Sequence, residues 1–153
     1  MIDSRTAPYG ALLLRVALGL MFLAHAGLKI FVFTPAGAAQ FFSSLGLPAA
    51  FAYLTIAAEV LGGLALILGI WTRVVAILLT PILIGAIVLV HGAAGWQFSA
   101  QGGGWEFPAF WIVALVVQAL IGDGAMALRP LNKVYPVIGQ PVTRGPATRG
   151  PAR

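Results

Sequence analysis

Four stretches of this chain are apolar over about the thickness of a lipid bilayer, and that pattern decides most of what it can fold into. A hydrocarbon core about 30 Å thick takes roughly 20 residues of α-helix at about 1.5 Å each. Runs near that length lie at residues 11–33, 48–70, 74–91 and 107–128, separated by a Pro/Gly/Ser loop (34–47), a very short turn (71–73) and a Gly-rich loop (92–106). Only 8% of the 153 residues are charged and 60% are hydrophobic, whereas a soluble domain carries about 25% charged residues. The expected fold is therefore all-α, an integral membrane four-helix bundle.

Basic residues near span ends are retained on the cytoplasmic side. Arg5, Arg73, Arg129, Lys133, Arg144, Arg149 and Arg153 fall on one side of these spans, and the two opposite loops hold neither Lys nor Arg. Both termini are thus expected in the cytoplasm. The +5 net charge reflects this orientation, and nucleic acid is excluded as a partner. Trp71, Trp96 and Trp105 lie near the predicted helix ends, where interfacial aromatics anchor spans. The Ala24-His25-Ala26 triplet imitates a signal-peptide cleavage site, but Arg15 interrupts the apolar region before it, so the first segment is expected to stay as a span. The reading divides the chain into an N-terminal segment (1–10), a membrane domain (11–128) and a basic, Pro/Gly-rich cytoplasmic tail (129–153), in which Thr-Arg-Gly-Pro-Ala occurs twice.

A charged residue inside a span costs about 2.5–3.5 kcal/mol on insertion scales, so each needs a reason. Arg15 and Asp123 lie at similar depth in the first and fourth spans and are expected to pair. Glu59 is the strongest anomaly: at mid-span its short side chain reaches neither interface, so it is either protonated or faces a partner in the bundle interior. The expected partner face is that of His25 and Lys29, four residues apart on the first helix. His91 closes the third span on the same side and Glu106 opens the fourth. Taken singly, Lys29, His91 and Glu106 are explained by snorkelling or interfacial placement; together with His25 and Glu59 they outline a polar pocket in the outer half of the bundle. The spacing His25 to His91 matches no compact ligand motif, and no metal site is assigned. With no cysteine, thiolate metal sites and thiol chemistry are excluded, so redox chemistry would need a bound cofactor or a partner. Pro81 is expected to kink the third span.

The segments Leu14-Arg15-Val16, His25-Ala26-Gly27-Leu28-Lys29, Phe41-Phe42-Ser43-Ser44-Leu45-Gly46-Leu47-Pro48, Ala58-Glu59-Val60-Leu61-Gly62-Gly63, Trp71-Thr72-Arg73 and Gly103-Gly104-Trp105-Glu106-Phe107-Pro108 resemble the DoxX family over residues 11–128, in order and at similar spacing. The resemblance implies a multi-pass protein of the bacterial inner membrane, in a family associated with thiosulfate:quinone oxidoreductase and with membrane-tethered sulfur or oxidative-stress complexes. It implies recurrent positions at Arg15, His25, Lys29, Glu59, Arg73, His91 and Glu106.

The functional expectation is a membrane subunit of a redox system, accessory to an oxidoreductase rather than active alone, whose pocket of His25, Lys29, Glu59, His91 and Glu106 receives a quinone head group or a small anion. In that scheme Lys29 and neutral His25 donate hydrogen bonds to a quinone carbonyl, and Glu59 accepts or supplies the coupled proton. Expected partners are the lipid bilayer, a soluble oxidoreductase or another membrane subunit, and a second copy of the chain. The alternative is a non-enzymatic scaffold or transporter-like protein that binds a lipid, a small solute or a partner subunit.

Overall fold

The structure, a computed structural model, describes residues 3–130; the predicted tail from 131 onward lies outside the described residues. The described chain is all α-helical: α1 (Ala7–Gly27), α2 (Pro35–Ser44), α3 (Ala50–Leu68), α4 (Thr72–Ala86) and α5 (Glu106–Ile121). A π-helical turn, Leu28–Val32, extends α1, and a second, Ile87–His91, extends α4 before a 3-10 turn at Gly92–Ala94. Three helical stretches, Ala7–Val32, Ala50–Leu68 and Thr72–Ala94, are long and apolar enough to cross a membrane. The fourth apolar helix, α5, has 16 residues, or about 24 Å at about 1.5 Å each.

Two boundaries differ from expectation. The predicted loop 34–47 contains α2. Thr34 caps its start, its hydroxyl accepting from the Gly37 N–H at 3.2 Å; Pro35 has the φ that a first turn needs, and four alanines and glycines follow. The predicted fourth span stops at Ile121, seven residues early, because Gly122 leaves the helix at φ +90°. The Gln118 amide then donates to the Gly122 carbonyl at 2.7 Å, closing the helix end. Residues 122–130 run back across the bundle as an irregular strap. Pro81 leaves α4 continuous from Thr72 to Ala86; the departure from α geometry comes later, in the π turn.

Each long helix buries one stripe. On α1 it is Ala11, Arg15, Leu18, Gly19, Phe22 and Ala26, spaced by three and four residues as one helical face requires. The core contains Leu18, Phe22, Leu66, Leu79, Trp111 and Leu115. The opposite faces are apolar too, with Leu13, Leu78, Phe110 and Leu120 exposed, which is the surface lipid accepts. α1 packs on α3 and α4 on α5, with further contacts between α3 and α4 and between α1 and α5. The tightest approach is between α1 and α3: a Cβ on Gly19 would stand 2.6 Å from the Gly63 carbonyl oxygen, so only glycine permits this spacing. α2 lies outside this group and packs Ala38 and Ala39 on Ala52 of α3.

Candidate functional site

Buried charge collects at two heights. Near the far end of α1, Lys29 Nζ donates to both carboxylate oxygens of Glu59, at 2.8 Å to Oε1 and 3.0 Å to Oε2. Glu59 belongs to the buried stripe of α3 with Gly62, Gly63 and Leu66, so it points inward and not to lipid. Its side chain is 4% exposed and that of Lys29 is 19%, so the pair is reachable from the lysine side only. Lys29 sits in the π turn, where the Phe33 N–H reaches five residues back to the Leu28 carbonyl at 2.9 Å. Such a turn is wider than an α turn and changes the direction of the side chains it carries.

His25 stands one turn below Lys29. Its Nδ1 lies 3.0 Å from the Met21 carbonyl oxygen. A carbonyl only accepts, so Nδ1 carries the proton and the neutral ring offers Nε2 as an acceptor. In that tautomer neutral His25 has no second N–H to offer a ligand carbonyl; the protonated ring would have one. The ring packs edge-on against Trp111 of α5, with centroids 4.9 Å apart, and lies nearly parallel to Phe107 at 6.5 Å.

His91 and Glu106 have other partners. His91 Nδ1 donates to the Gly103 carbonyl at 2.7 Å, and Glu106 Oε1 accepts from the Phe98 N–H at 3.1 Å. Both organise the Gly-rich loop, together with backbone bonds from Trp105 to Gly95 and from Glu106 to Trp96. The structure thus joins Lys29 of α1's π turn to Glu59 of α3, with His25 one turn from Lys29, and places His91 and Glu106 at the two ends of the Gly-rich loop. An apolar cavity of about 610 Å³ lies beside that loop, lined by Trp96, Phe98, Glu106, Phe107, Ala109, Phe110 and Val113; the Lys29–Glu59 pair does not line it. Among the described residues no three His, Asp or Glu side chains are grouped to hold a metal.

At the opposite end Arg15, 1% exposed, donates from Nη1 to the carbonyls of Leu66 at 3.0 Å and Ile67 at 2.6 Å, and from Nη2 to Ala125 at 2.9 Å. The first two are carbonyls of the last turn of α3, which lack partners within the helix. Asp123 accepts from the Thr72 N–H at 3.2 Å, at the start of α4, and its charge acts on Arg15. The two therefore interact, while their described hydrogen bonds run to the backbone. Gln118 and Trp111, both buried on α5, were missed in the sequence. Gln118 had a visible signal, a lone amide inside an apolar run; Trp111 had none, because an aromatic residue in a span is ordinary.

The first site thus offers one ammonium donor, a carboxylate and an acceptor nitrogen of a neutral imidazole, with two aromatic rings beside the imidazole. In this arrangement Lys29 and Glu59 satisfy each other, so a ligand would have to part them.

A helical membrane protein with an ion pair at depth and an arginine-bound end is the class these features define. Residues 10–92 match the DoxX family, and the chain belongs to that family of multi-spanning bacterial inner-membrane proteins. It is 39% identical over 121 residues, 79% of this chain and 85% of the relative, to a Bacillus subtilis (strain 168) protein named "Putative oxidoreductase CatD". No solved structure gives a significant match to the chain.

Proposed function

We propose that this protein is the membrane subunit of a redox system, and that the Lys29–Glu59 pair with His25 is the place where it handles a proton or a polar head group. The similarity to a relative named as an oxidoreductase supports the redox association. The observation that carries the site is the buried two-oxygen contact of Lys29 with Glu59. An ion pair is an expensive way to fill membrane interior, and apolar residues of similar volume often serve stability as well or better. A pair open on one side can exchange partners: a ligand carbonyl or anion takes Lys29 Nζ, and the released Glu59 binds or gives a proton. When bound, a quinone would supply two-electron chemistry that no side chain here offers; this chain's part is to hold the ring by Phe107 and Trp111 and to serve the proton at Glu59.

The protein's orientation follows the same proposal. Among the described residues Arg5, Arg15, Arg73 and Arg129 lie at the end where α1 begins and α3 ends, and Lys29 is the one Lys or Arg toward the other, which supports cytoplasmic termini and an outward-facing pair. A reporter fused after Arg153 should be active only in its cytoplasmic form; periplasmic activity would reverse the sidedness.

Native mass spectrometry of the purified protein, with and without Glu59→Gln, tests the site. The expected result is a copurifying quinone or soluble oxidoreductase partner, with loss of redox turnover by the complex in a folded Glu59→Gln protein. A non-enzymatic scaffold or transporter-like role is favoured by one observation, that the pair is already satisfied without a ligand. In that case Gln is tolerated, no quinone copurifies, and activity is found only in flux assays.

A further inference from the structure

We propose that the α3–α4 turn and the strap of residues 122–130 form a binding site for the phosphate of an anionic phospholipid headgroup. Three arginines from separate parts of the chain border this turn and strap. Arg15 Nη1 lies under the turn, 2.6 Å from where a Cβ on Gly69 would stand. The Arg73 guanidinium lies over the end of α5, 2.8 Å from where a Cβ on Gly122 would stand. Arg129 is pinned beside the same turn, its N–H donating to the Gly69 carbonyl at 3.1 Å and its carbonyl accepting from the Trp71 N–H at 3.2 Å.

Among the described residues one carboxylate, Asp123, whose bonds include one from the Thr72 N–H, stands against these three cations. The group is left with excess positive charge at the margin of a low-dielectric slab, where water screens poorly and a nearby anion is favoured. Arg15 is committed to backbone carbonyls and contributes charge alone. Arg73 is half-buried and Arg129 exposed, and among the described residues Arg73 Nε has no hydrogen-bond partner, so these two are the groups that would bind phosphate.

The apolar rim identifies the source as lipid. Trp71, Met126 and Leu128 are 52%, 80% and 66% exposed around the arginines. Trp71 and Met126 are also held at φ +47° and +58°, conformations that L side chains rarely adopt. The backbone thus turns an indole and a thioether outward. Beside an acyl chain both would be covered, with the phosphate at arginine height, as interfacial tryptophans are placed.

The test uses the full chain purified in mixed zwitterionic and anionic lipid, phosphatidylcholine with phosphatidylglycerol, followed by native mass spectrometry. Wild type should retain phosphatidylglycerol in preference. Arg129→Gln, whose exposed side chain should leave folding intact, should lower that preference about fivefold, and Arg73→Gln/Arg129→Gln more, as about fivefold per arginine near a membrane surface predicts. Arg5→Gln, which removes an equal charge at the same end but outside the turn, should lower it clearly less than Arg129→Gln does; an equal loss would show general surface attraction and overturn the site. An unaltered preference in the Arg73/Arg129 double variant, or none in wild type, would overturn the site. If millimolar inorganic phosphate stabilises the detergent-solubilised protein as well as phosphatidylglycerol does, the ligand is free phosphate and the lipid assignment fails.

Discussion

At the Lys29 end one ammonium meets one carboxylate, side chain to side chain, at 2.8 Å from Nζ to Oε1. At the Arg15 end a guanidinium donates into three backbone carbonyls and a carboxylate accepts from the first N–H of a helix. The two ends bury comparable charge for different purposes. A side-chain pair breaks when either residue changes rotamer, at no cost to the helices. The Arg15 contacts hold the last turn of α3 and the strap after α5, so they break only if the bundle opens. Chemistry is therefore expected at the first end and architecture at the second.

The largest effect should come from Arg15→Leu, which strips the α3 carbonyls of their donor and removes one positive charge near Asp123. A loss of roughly 3 kcal/mol or more is expected for breaking a buried charge cluster, with Arg15→Leu/Asp123→Leu losing less than the two single variants together. Thermal melting in detergent measures both; strict additivity would show that the two charges do not interact and would weaken the contrast between the ends.

Glu59→Leu should cost less, about 2 kcal/mol, because Lys29 is partly exposed and can snorkel once released. Lys29→Met should be the more damaging of the two, since it leaves Glu59 buried with no cation and no route to water. Equal losses from the two would mean that Glu59 is as accessible as Lys29. Glu59→Gln, which keeps a hydrogen-bond acceptor for Lys29, should melt within about 1 kcal/mol of wild type.

Smaller still is Gly122→Ala, expected to cost about 1–2 kcal/mol, because φ +90° is poor for an L residue and the new methyl meets the Arg73 guanidinium. It should affect the strap and leave the Lys29–Glu59 pair intact, which amide hydrogen exchange at the two ends would resolve. Thr34→Ala removes the α2 cap and should cost about 0.5–1 kcal/mol, visible as faster exchange in α2 alone. A global loss there would show that α2 supports the ion pair through Ala52.

Much of the membrane-spanning design is legible in the residues because it depends on local composition. Apolar runs of sufficient length are helices in lipid whatever their neighbours, since no other open structure satisfies the backbone there. The gathering of arginines at one end and the misfit of Glu59 at mid-span are equally local facts, and they sufficed to point Glu59 inward and to nominate Lys29. Partner choice is not local. Whether His91 and Glu106 join Lys29 or tie down a glycine-rich loop depends on helix heights and rotations that composition does not encode. The π turns under Lys29 and His91 leave no sequence signature. The early end of α5 rests on Gly122, which takes φ +90°, and on the Gln118 amide that bonds the Gly122 carbonyl; hydropathy alone would continue the helix there. Sequence determined which segments form long apolar helices, because apolarity is a transfer energy summed along the chain; tertiary structure decided which buried charges meet, because that is set by packing between helices.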